Sequence, residues 1–188
     1  MSWHGWLAVT GSDGRFVDLY ERFYRPVYAY CRRRTLADVV DDVVADTFLT
    51  AWRRIDDVPG DQVLPWLYGV AYRVLGNQRR GLARHGKLGE KLASIGYLAP
   101  ALPYEVVVMR EESRQVLAAL DSLRRVDREI LLLSAWEELP QPEIALVLDI
   151  SVEAVRQRLY QAKKRLAKAY DRMDGQRLTP AAKKGGVR

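Results

Sequence analysis

Residues 140–166, PQPEIALVLDISVEAVRQRLYQAKKRL, carry the pattern of a helix, a tight turn and a second helix. Apolar residues recur at spacings of three and four, which predicts one inward face on each helix. The inward residues are Ile144, Ala145 and Leu148 in the first helix and Val152, Val155, Leu159, Ala162 and Leu166 in the second. The turn is Asp149-Ile150-Ser151, with Ser151 placed to cap the second helix. Two short helices joined this way form the unit that places one helix in the major groove of DNA.

The outward face of the second helix is rich in hydrogen-bond donors and cations. From residue 153 to residue 172, seven Lys or Arg stand against two acids, a local balance of +5. A merely solvated helix face usually mixes both signs, so this excess favours a polyanion as the partner. The candidate DNA-binding residues are Ser151, Glu153, Ala154, Arg156, Gln157, Arg158, Tyr160, Lys163 and Lys164.

Side chains near the start of such a helix usually reach base edges. Arg156 and Gln157 lie there with Glu153, and Arg can bind guanine while Gln can pair with adenine. The residues expected to hold phosphates are Arg158, Lys163, Lys164 and Tyr160. Two structural alternatives stay open: Arg158 can bridge to an acid of the neighbouring helix, and Tyr160 can be half-buried.

The composition of the 188-residue chain excludes global disorder, because 48% of the residues are hydrophobic. The net charge of +6 is unevenly spread. Residues 73–91 hold six cations and one acid (+5), whereas residues 36–61 hold seven Asp and two Arg (−5). Segments of opposite charge predict partners of both signs.

Several residue patterns bear on compartment and chemistry. The lone Cys31 cannot form an internal disulfide, and its apolar helix face favours a buried thiol over a redox switch. No apolar run reaches about 20 residues, and the N-terminus lacks the pattern of a signal peptide, so a cytoplasmic protein is expected.

His4 and His85 fall in predicted loops, and there is no phosphate-cradling glycine motif or cysteine cluster. No catalytic residue, cofactor or metal is expected, and the chain is not predicted to be an enzyme.

Outside its linkers the chain has helical periodicity throughout. We predict a first helix after Ser12, with Phe16, Leu19, Tyr20 and Phe23 on its apolar face, and a new helix from Pro26 to about Arg34, because proline breaks a helix interior. Further helices are predicted over 37–54, with Val40, Val43, Val44, Thr47, Phe48, Ala51 and Trp52 inward, and from Pro65 to about Arg84, with Trp66, Leu67, Val70, Ala71, Val74 and Leu75 inward. The turn-rich loop at 56–61 separates them.

The second half is predicted to contain helices over 105–120, with Val108, Val116, Leu117 and Leu120 inward, and over 128–138, capped by Asp127. The predicted division is an N-terminal extension (1–12), a helical domain (13–85), a linker (86–103), a helix-turn-helix domain (104–174) and a disordered tail (175–188).

The chain resembles sigma factors of the extracytoplasmic-function class over about residues 16–85 and 114–170. The resemblance lies in four strings in a fixed order, FVDLYERFYRPVYAYCRRR, DDVVADTFLTAWRR, LPWLYGVAYRVLGNQRR and VLAALDSLRRVDREILLL, followed by the helix-turn-helix. It implies an all-α fold with two small domains on a flexible linker. One is a four-helix domain like sigma region 2, and the other is a helix-turn-helix domain like sigma region 4.

The resemblance also implies roles. The helix over 41–54 would dock on a coiled coil in the largest subunit of core RNA polymerase, through Asp41, Asp42, Asp46 and Arg53; an ordinary solvated face is the alternative. Loop 56–64 and the following helix would open and read the minus-ten promoter element. The candidate residues for that element are Tyr72, Arg73, Asn77, Arg79, Arg80 and Arg84, with Trp66 assigned to the core rather than to base stacking.

The helix-turn-helix would read the minus-thirty-five element. Many such factors have an anti-sigma protein as a further partner. The competing hypothesis is a stand-alone helix-turn-helix regulator that binds operator DNA without polymerase. The chain departs from the family pattern at Arg73 (usually Asn), Ala45 (often Gln), Asp149 (usually Gly) and Pro140 (usually Ser), which bears on the promoter sequence read rather than on the family.

Overall fold

The computed structural model describes residues 12–84 and 111–178, and these residues form helices joined by turns, without any strand. The helices are α1 (Ser12–Arg32), α2 (Val40–Arg53), α3 (Val63–Arg84), α4 (Glu111–Asp121), α5 (Arg125–Ala135), α6 (Gln141–Leu148) and α7 (Val152–Leu178). Two 3-10 turns, Ala37–Val39 and Ile55–Asp57, lie on either side of α2. The predicted all-α fold is confirmed.

The predicted break at Pro26 is wrong, because α1 runs through this proline as one helix of 21 residues. Proline lacks the N–H that would bond to the carbonyl one turn back, and this loss disfavours an interior position. Here Leu19, Val27 and Tyr30 are buried on both sides of Pro26. The continuous packing face keeps the helix intact, so residues 12–84 form three α-helices rather than four.

The N-terminal core forms where α1, α2 and α3 pack together. Val27, Val43 and Leu67 contribute one fully buried side chain from each helix. Trp66 is also buried, as the assignment to the core requires.

The helix-turn-helix domain is built from α4 to α7. Helix α5 begins at Arg125, three residues before the predicted start, and no side chain caps it. Asp127 is therefore not a cap, which corrects the prediction. Its carboxylate instead accepts a hydrogen bond from Arg165, and this ion pair ties α5 to α7.

Four side chains predicted to lie on the apolar faces of their helices are exposed: Tyr20, Trp52, Val116 and Val152. Val152 is the first residue of α7, before the helix meets its neighbours, and Trp52 lies in the last turn of α2. Trp52 and Val152 thus lie at the ends of their helices, whereas Val116 is exposed in the middle of α4.

Several predicted segments fall on residues outside the described ranges. These are residues 1–11 of the N-terminal extension, the linker 86–103, the start of the helix predicted from residue 105, including Val108, and residues 179–188 of the predicted tail. The described part of that helix begins at Glu111. Helix α7 continues to Leu178, so the first four residues of the predicted tail are helical. The domain limits otherwise remain predictions.

The two domains pack against each other through α3 and α6. At Gly69 on α3, a Cβ atom would lie 3.4 Å from the carbonyl oxygen of Val147 on α6, so the absence of a side chain allows the close approach. Neighbouring Tyr68 is buried as well, although it is not among the residues of α3 that were predicted to lie inward. Helix α3 is thus buried on two sides, one facing each domain.

Among the described residues, none of the helices combines the length and the apolar character that crossing a bilayer requires.

Burial raises the pKa of the Cys31 thiol to about 12, although Arg34 and Arg33 nearby act in the opposite direction. Because the folded state disfavours the thiolate, Cys31 contributes to the free energy of unfolding below the unfolded-state pKa of about 9. This contribution is lost as the pH rises from about 9 to about 12.

We expect iodoacetamide at pH 8 to modify native Cys31 roughly 1,000-fold more slowly than it modifies the unfolded chain, because each unit by which the pKa is raised lowers the thiolate fraction about ten-fold. Mass spectrometry with and without denaturant measures the ratio, and equal rates would contradict a buried thiol.

Candidate nucleic-acid interface

The turn between α6 and α7 has the geometry that its sequence predicts. Asp149 adopts the left-handed conformation, with φ 55° and ψ 51°. Its side chain tolerates this region better than most, which explains how Asp stands in for the usual glycine. The N–H of Ile150 donates to the carbonyl of Ala145 at 3.1 Å. The predicted cap is confirmed, since Ser151 Oγ accepts a hydrogen bond from the N–H of Ala154 at 3.2 Å.

The first turns of α7 present an ordered polar group to solvent. Arg156 Nη2 lies 2.8 Å and 2.7 Å from the two carboxylate oxygens of Glu153, and both side chains are exposed. An exposed pair of this kind contributes little to stability. Its consequence is geometric, because it holds the Arg156 guanidinium at the start of the helix, where base edges are reached. Gln157 is exposed beside it, and Ala154 is half-buried.

Further along α7 the exposed side chains form a cationic face. Tyr160 is 57% exposed, so the half-buried alternative is wrong. The ammonium of Lys164 lies 4.8 Å from the centre of the Tyr160 ring, a cation–π contact. Arg158 and Lys163 are exposed on the same helix. These groups can follow a phosphate backbone while the first turn meets the bases.

The residues predicted to read the minus-ten element lie along α3, in different surroundings. Arg73, Asn77 and Arg80 are exposed, and Arg80 donates a hydrogen bond to Asn77 Oδ1. Arg79 instead donates to the backbone carbonyl of Arg34 at 3.0 Å, which ties the end of α1 to α3. Arg84 is the last residue of α3, and the structure describes its backbone but not its side chain.

Tyr72, the aromatic member of this predicted set, contacts the other domain. Its hydroxyl lies 3.3 Å from Arg125 Nη2, and the Arg125 guanidinium lies 5.3 Å from the ring centre. This side chain is partly covered by α5 in the present arrangement. The sequence pattern contained no signal for that contact.

An open groove of about 250 Å³ lies between α1 and the loop that connects α2 with α3. Its lining combines cationic, aromatic and aliphatic side chains with one carboxylate: Arg15, Arg22, Phe23, Leu19, Ile55, Val58, Val63 and Asp18. Arg15 holds the loop in place, with Nη1 2.9 Å from Asp56 Oδ1 and Nη2 3.0 Å from the carbonyl of Ile55. The sequence pattern predicted the loop, but it did not predict that α1 forms the other side of this groove.

The acidic side chains predicted to face a protein partner are exposed on α2. Asp42, Asp46 and Arg53 recur at helical spacing, and Asp41 lies beside them. Leu49 lies between Asp46 and Arg53 in this row and is also exposed. The charged face therefore includes an apolar residue that sequence reasoning missed.

A group of aromatic rings adjoins this acidic face, and we call it the aromatic patch. Its members are Phe16, Tyr20, Tyr24 and Tyr28 on α1 with Phe48 and Trp52 on α2. Tyr20 lies 4.8 Å from Phe48, and Phe16 lies 6.5 Å from Trp52, between ring centres. Tyr20 is 41% exposed and Trp52 50% exposed. The signal available in the sequence was the aromatic spacing of four along α1.

Electrostatics connect the aromatic patch with the acidic face. Burial raises the pKa of the Tyr24 phenol, and the neighbouring Tyr20 and the Asp41 carboxylate raise it further. The Tyr24 hydroxyl therefore stays neutral. A row of aromatic rings bordered by carboxylates suits a partner with an apolar face next to a basic one.

Two family models match the chain. Sigma-70 region 2 matches residues 19–85, and Sigma-70, region 4 matches residues 113–166. The chain is 30% identical over 164 residues to the RNA polymerase sigma factor NccH of Alcaligenes xylosoxydans xylosoxydans, covering 85% of this chain and 88% of that one. It is 33% identical over 144 residues to the RNA polymerase sigma factor CnrH of Cupriavidus metallidurans, with 70% and 73% covered.

Solved structures agree with these matches. The structure of CnrH in complex with the cytosolic domain of CnrY is similar at a TM-score of 0.57 and 27% identity, covering 86% of this chain and 91% of that chain. The sigma factor RpoE of Bartonella quintana, solved with the anti-sigma factor NepR, is similar at a TM-score of 0.61 and 19% identity, with 83% and 96% covered, and it shows the fold alone.

The ECF RNA polymerase sigma-E factor of Escherichia coli is 28% identical over 162 residues, covering 81% of this chain and 85% of that one. Regions 2 and 4 occur in the expected order, each on its own group of helices. The chain therefore belongs to the sigma-70 family of RNA polymerase sigma factors, in its extracytoplasmic-function class.

Proposed function

We propose that this chain binds core RNA polymerase and directs it to promoters by contacting their minus-thirty-five and minus-ten elements. The observation that carries the proposal is the presence of two exposed surfaces of opposite character. One is the cationic face of α7, and the other is the acidic face of α2 with its aromatic patch. A stand-alone operator-binding regulator would need only the first.

The acidic face and the aromatic patch are the proposed site for the coiled coil of the largest polymerase subunit. Asp41, Asp42 and Asp46 would steer and orient a basic helix. Aromatic side chains supply the buried centre of many protein interfaces, where they account for much of the binding free energy. Trp52 and Tyr20 are exposed at the position such a centre requires.

The minus-thirty-five element is the proposed ligand of α7. The Glu153–Arg156 pair orients a guanidinium that can bind guanine, and Gln157 beside it can pair with adenine. Arg158, Lys163 and Lys164 follow at positions suited to phosphates. Tyr160 is exposed among them.

The minus-ten element is the proposed ligand of α3 and of the groove beside the α2–α3 loop. Melting a promoter exposes bases that need stacking surfaces and cations for their backbone. The groove has both, in Phe23 and in Arg15 and Arg22, and its volume admits one extruded base. Arg73, Asn77 and Arg80 lie exposed along α3 for the adjoining strand.

Catalysis in this proposal belongs to the polymerase, and the chain acts in the cytoplasm, where the template lies. The relatives CnrH and RpoE were solved with CnrY and with the anti-sigma factor NepR. By analogy, we propose that an anti-sigma protein also regulates this chain.

Co-purification with core polymerase, followed by sequencing of the bound DNA, tests the proposal. The expected result is enrichment of sequences sharing two spaced elements, with enrichment dependent on the polymerase. Tight binding of one operator by the chain alone, unchanged by polymerase, would favour the regulator instead.

A further inference from the structure

Two exposed rows of side chains, one on α2 and one on α7, have the same spacing and the same order of charges. The α2 row consists of Asp42, Asp46, Leu49 and Arg53. The α7 row consists of Glu153, Gln157, Tyr160 and Lys164. Successive members of each row are four, three and four residues apart, which keeps them on one face of a helix. Each row therefore spans about 17 Å along its helix axis.

The charged ends of the two rows are complementary when the helices run antiparallel. Each row begins with a carboxylate and ends with a cation. Antiparallel alignment therefore sets Asp42 opposite Lys164, and it sets Arg53 opposite Glu153. A parallel alignment would instead bring like charges together at both ends, which is strongly unfavourable. The charges thus define one orientation and one register.

The middle members of the rows also match in this register. The Tyr160 hydroxyl comes opposite the Asp46 carboxylate, to which it can donate a hydrogen bond. Leu49 comes opposite the aliphatic part of Gln157. Tyr160 and Leu49 are 57% and 39% exposed, so pairing of the rows would remove apolar surface from water.

The charges of the α2 row are available for a partner. Within residues 12–84 and 111–178, the side chains of Asp42, Asp46 and Arg53 make no ion pair. In the α7 row, Glu153 pairs with Arg156 of its own helix, and both side chains are exposed. Such an exposed pair contributes little to stability, so Glu153 can exchange it for another cation.

A second copy of the chain is the partner that fits these rows. Both rows are exposed in the same folded chain, so they do not cover each other within it. A second copy presents the complementary row with the required spacing and charge order. A contact about 17 Å long is smaller than a standard protein–protein interface, so the association is expected to be weak and sensitive to salt.

We propose that the α2 row of one copy docks antiparallel on the α7 row of a second copy, giving a reversible self-associated form. The contact is head-to-tail, because different surfaces of the two copies meet. It covers the proposed polymerase-binding face of one copy and the proposed minus-thirty-five-reading helix of the other. This consequence rests on the proposed function, since core polymerase and promoter DNA should then each dissociate the form.

Sedimentation equilibrium of the full chain tests the proposal. The average mass of the parent should rise with protein concentration at about 0.1 M salt and fall to that of the monomer at about 1 M salt, where charges are screened within about 3 Å. Asp42→Lys/Asp46→Lys sets like charges against the α7 row and should raise the dissociation constant at least about 10-fold. The matched control is Asp61→Lys/Glu138→Lys, which makes the same change in net charge at two exposed positions outside both rows.

A mixing experiment tests whether the two rows meet each other. Lys164→Glu, combined with the same change at the adjoining Lys163, should weaken self-association as the reversal on α2 does. A mixture of the two reversed variants should associate although neither does so alone, because each row then finds an opposite charge. Each reversal changes the net charge of +6 by four units, so both variants stay positive and net charge does not favour the mixture.

Several outcomes would overturn the self-association. These are a monomeric parent up to about 1 mM at low salt, equal association of parent and both reversed variants with circular dichroism unchanged, and a mixture that stays monomeric. Capture of core polymerase separates this inference from the proposed function. Parental capture by Asp42→Lys/Asp46→Lys, together with lost self-association, would remove the acidic face from the proposed function and support the pairing of the rows. A monomeric parent that captures polymerase would do the reverse.

Discussion

Replacing Trp52 with alanine is expected to weaken binding to core RNA polymerase by about 30-fold, the loss that corresponds to an interface residue worth about 2 kcal/mol. The reason is the position of the ring. It is 50% exposed at the end of α2, against Phe16 and close to the exposed Leu49. A contiguous exposed apolar surface of this kind usually marks an interaction site. Titration of labelled core enzyme with the full chain measures the change.

Trp136→Ala is the matched control for this substitution. Trp136 is a tryptophan of similar exposure, 41%, but it follows α5 in the second domain, away from the aromatic patch. Its removal should leave the affinity for core enzyme within about 2-fold, as expected for a contact outside the energetic centre. Unchanged affinity after Trp52→Ala would show that the coiled coil does not dock on the aromatic patch.

Arg156→Ala is expected to relax promoter specificity at one base pair of the minus-thirty-five element, with a discrimination loss of about 1–3 kcal/mol. Arg156 is held by Glu153 at the start of α7, where side chains meet base edges. Sequencing of DNA selected by the holoenzyme, with the parent and the variant in parallel, measures the preference at each position.

Lys163→Ala provides the contrast, because Lys163 is exposed two turns further along α7, at a position suited to phosphate. This variant should bind all sequences more weakly by a similar factor and reduce the slope of log affinity against log salt by about 0.9. If Arg156→Ala instead weakened every sequence equally, its assigned contact with a base would be wrong.

The helix-turn-helix could be predicted from sequence because its signals are local. Asp149 supplies a residue that tolerates the left-handed conformation, and Ser151 supplies the cap three residues before the N–H it accepts from. Apolar spacing on both helices then places the inward faces. These features require no knowledge of the rest of the chain.

The errors arose where distant packing outweighs local preference. Pro26 carries a local signal for a break, yet the buried residues on either side of it keep α1 continuous. Trp52 has the type and spacing of a core residue, but among the described residues it stays 50% exposed, with the Phe16 ring of α1 beside it. Neither outcome is encoded within a few residues of the position concerned.

The interface between the domains is the clearest case. Arg34 and Glu129 are 95 residues apart, and each looks in sequence like an ordinary charged residue at the end or on the side of a helix. Only the fold brings them together and removes them from water. The contact between α1 and α2 within the aromatic patch is likewise not predictable from local sequence. The spacing of the rings along α1 does not reveal which of them contacts Phe48.

Transcription reconstituted from purified components tests the central claim most directly. Core polymerase and this chain are combined on a template selected from the sequencing experiment, and the transcripts are sized. A transcript of defined start that requires both the chain and two intact promoter elements is the predicted result. Absence of any chain-dependent transcript across the selected templates, while another sigma factor activates the same core enzyme on its own promoter, would contradict it.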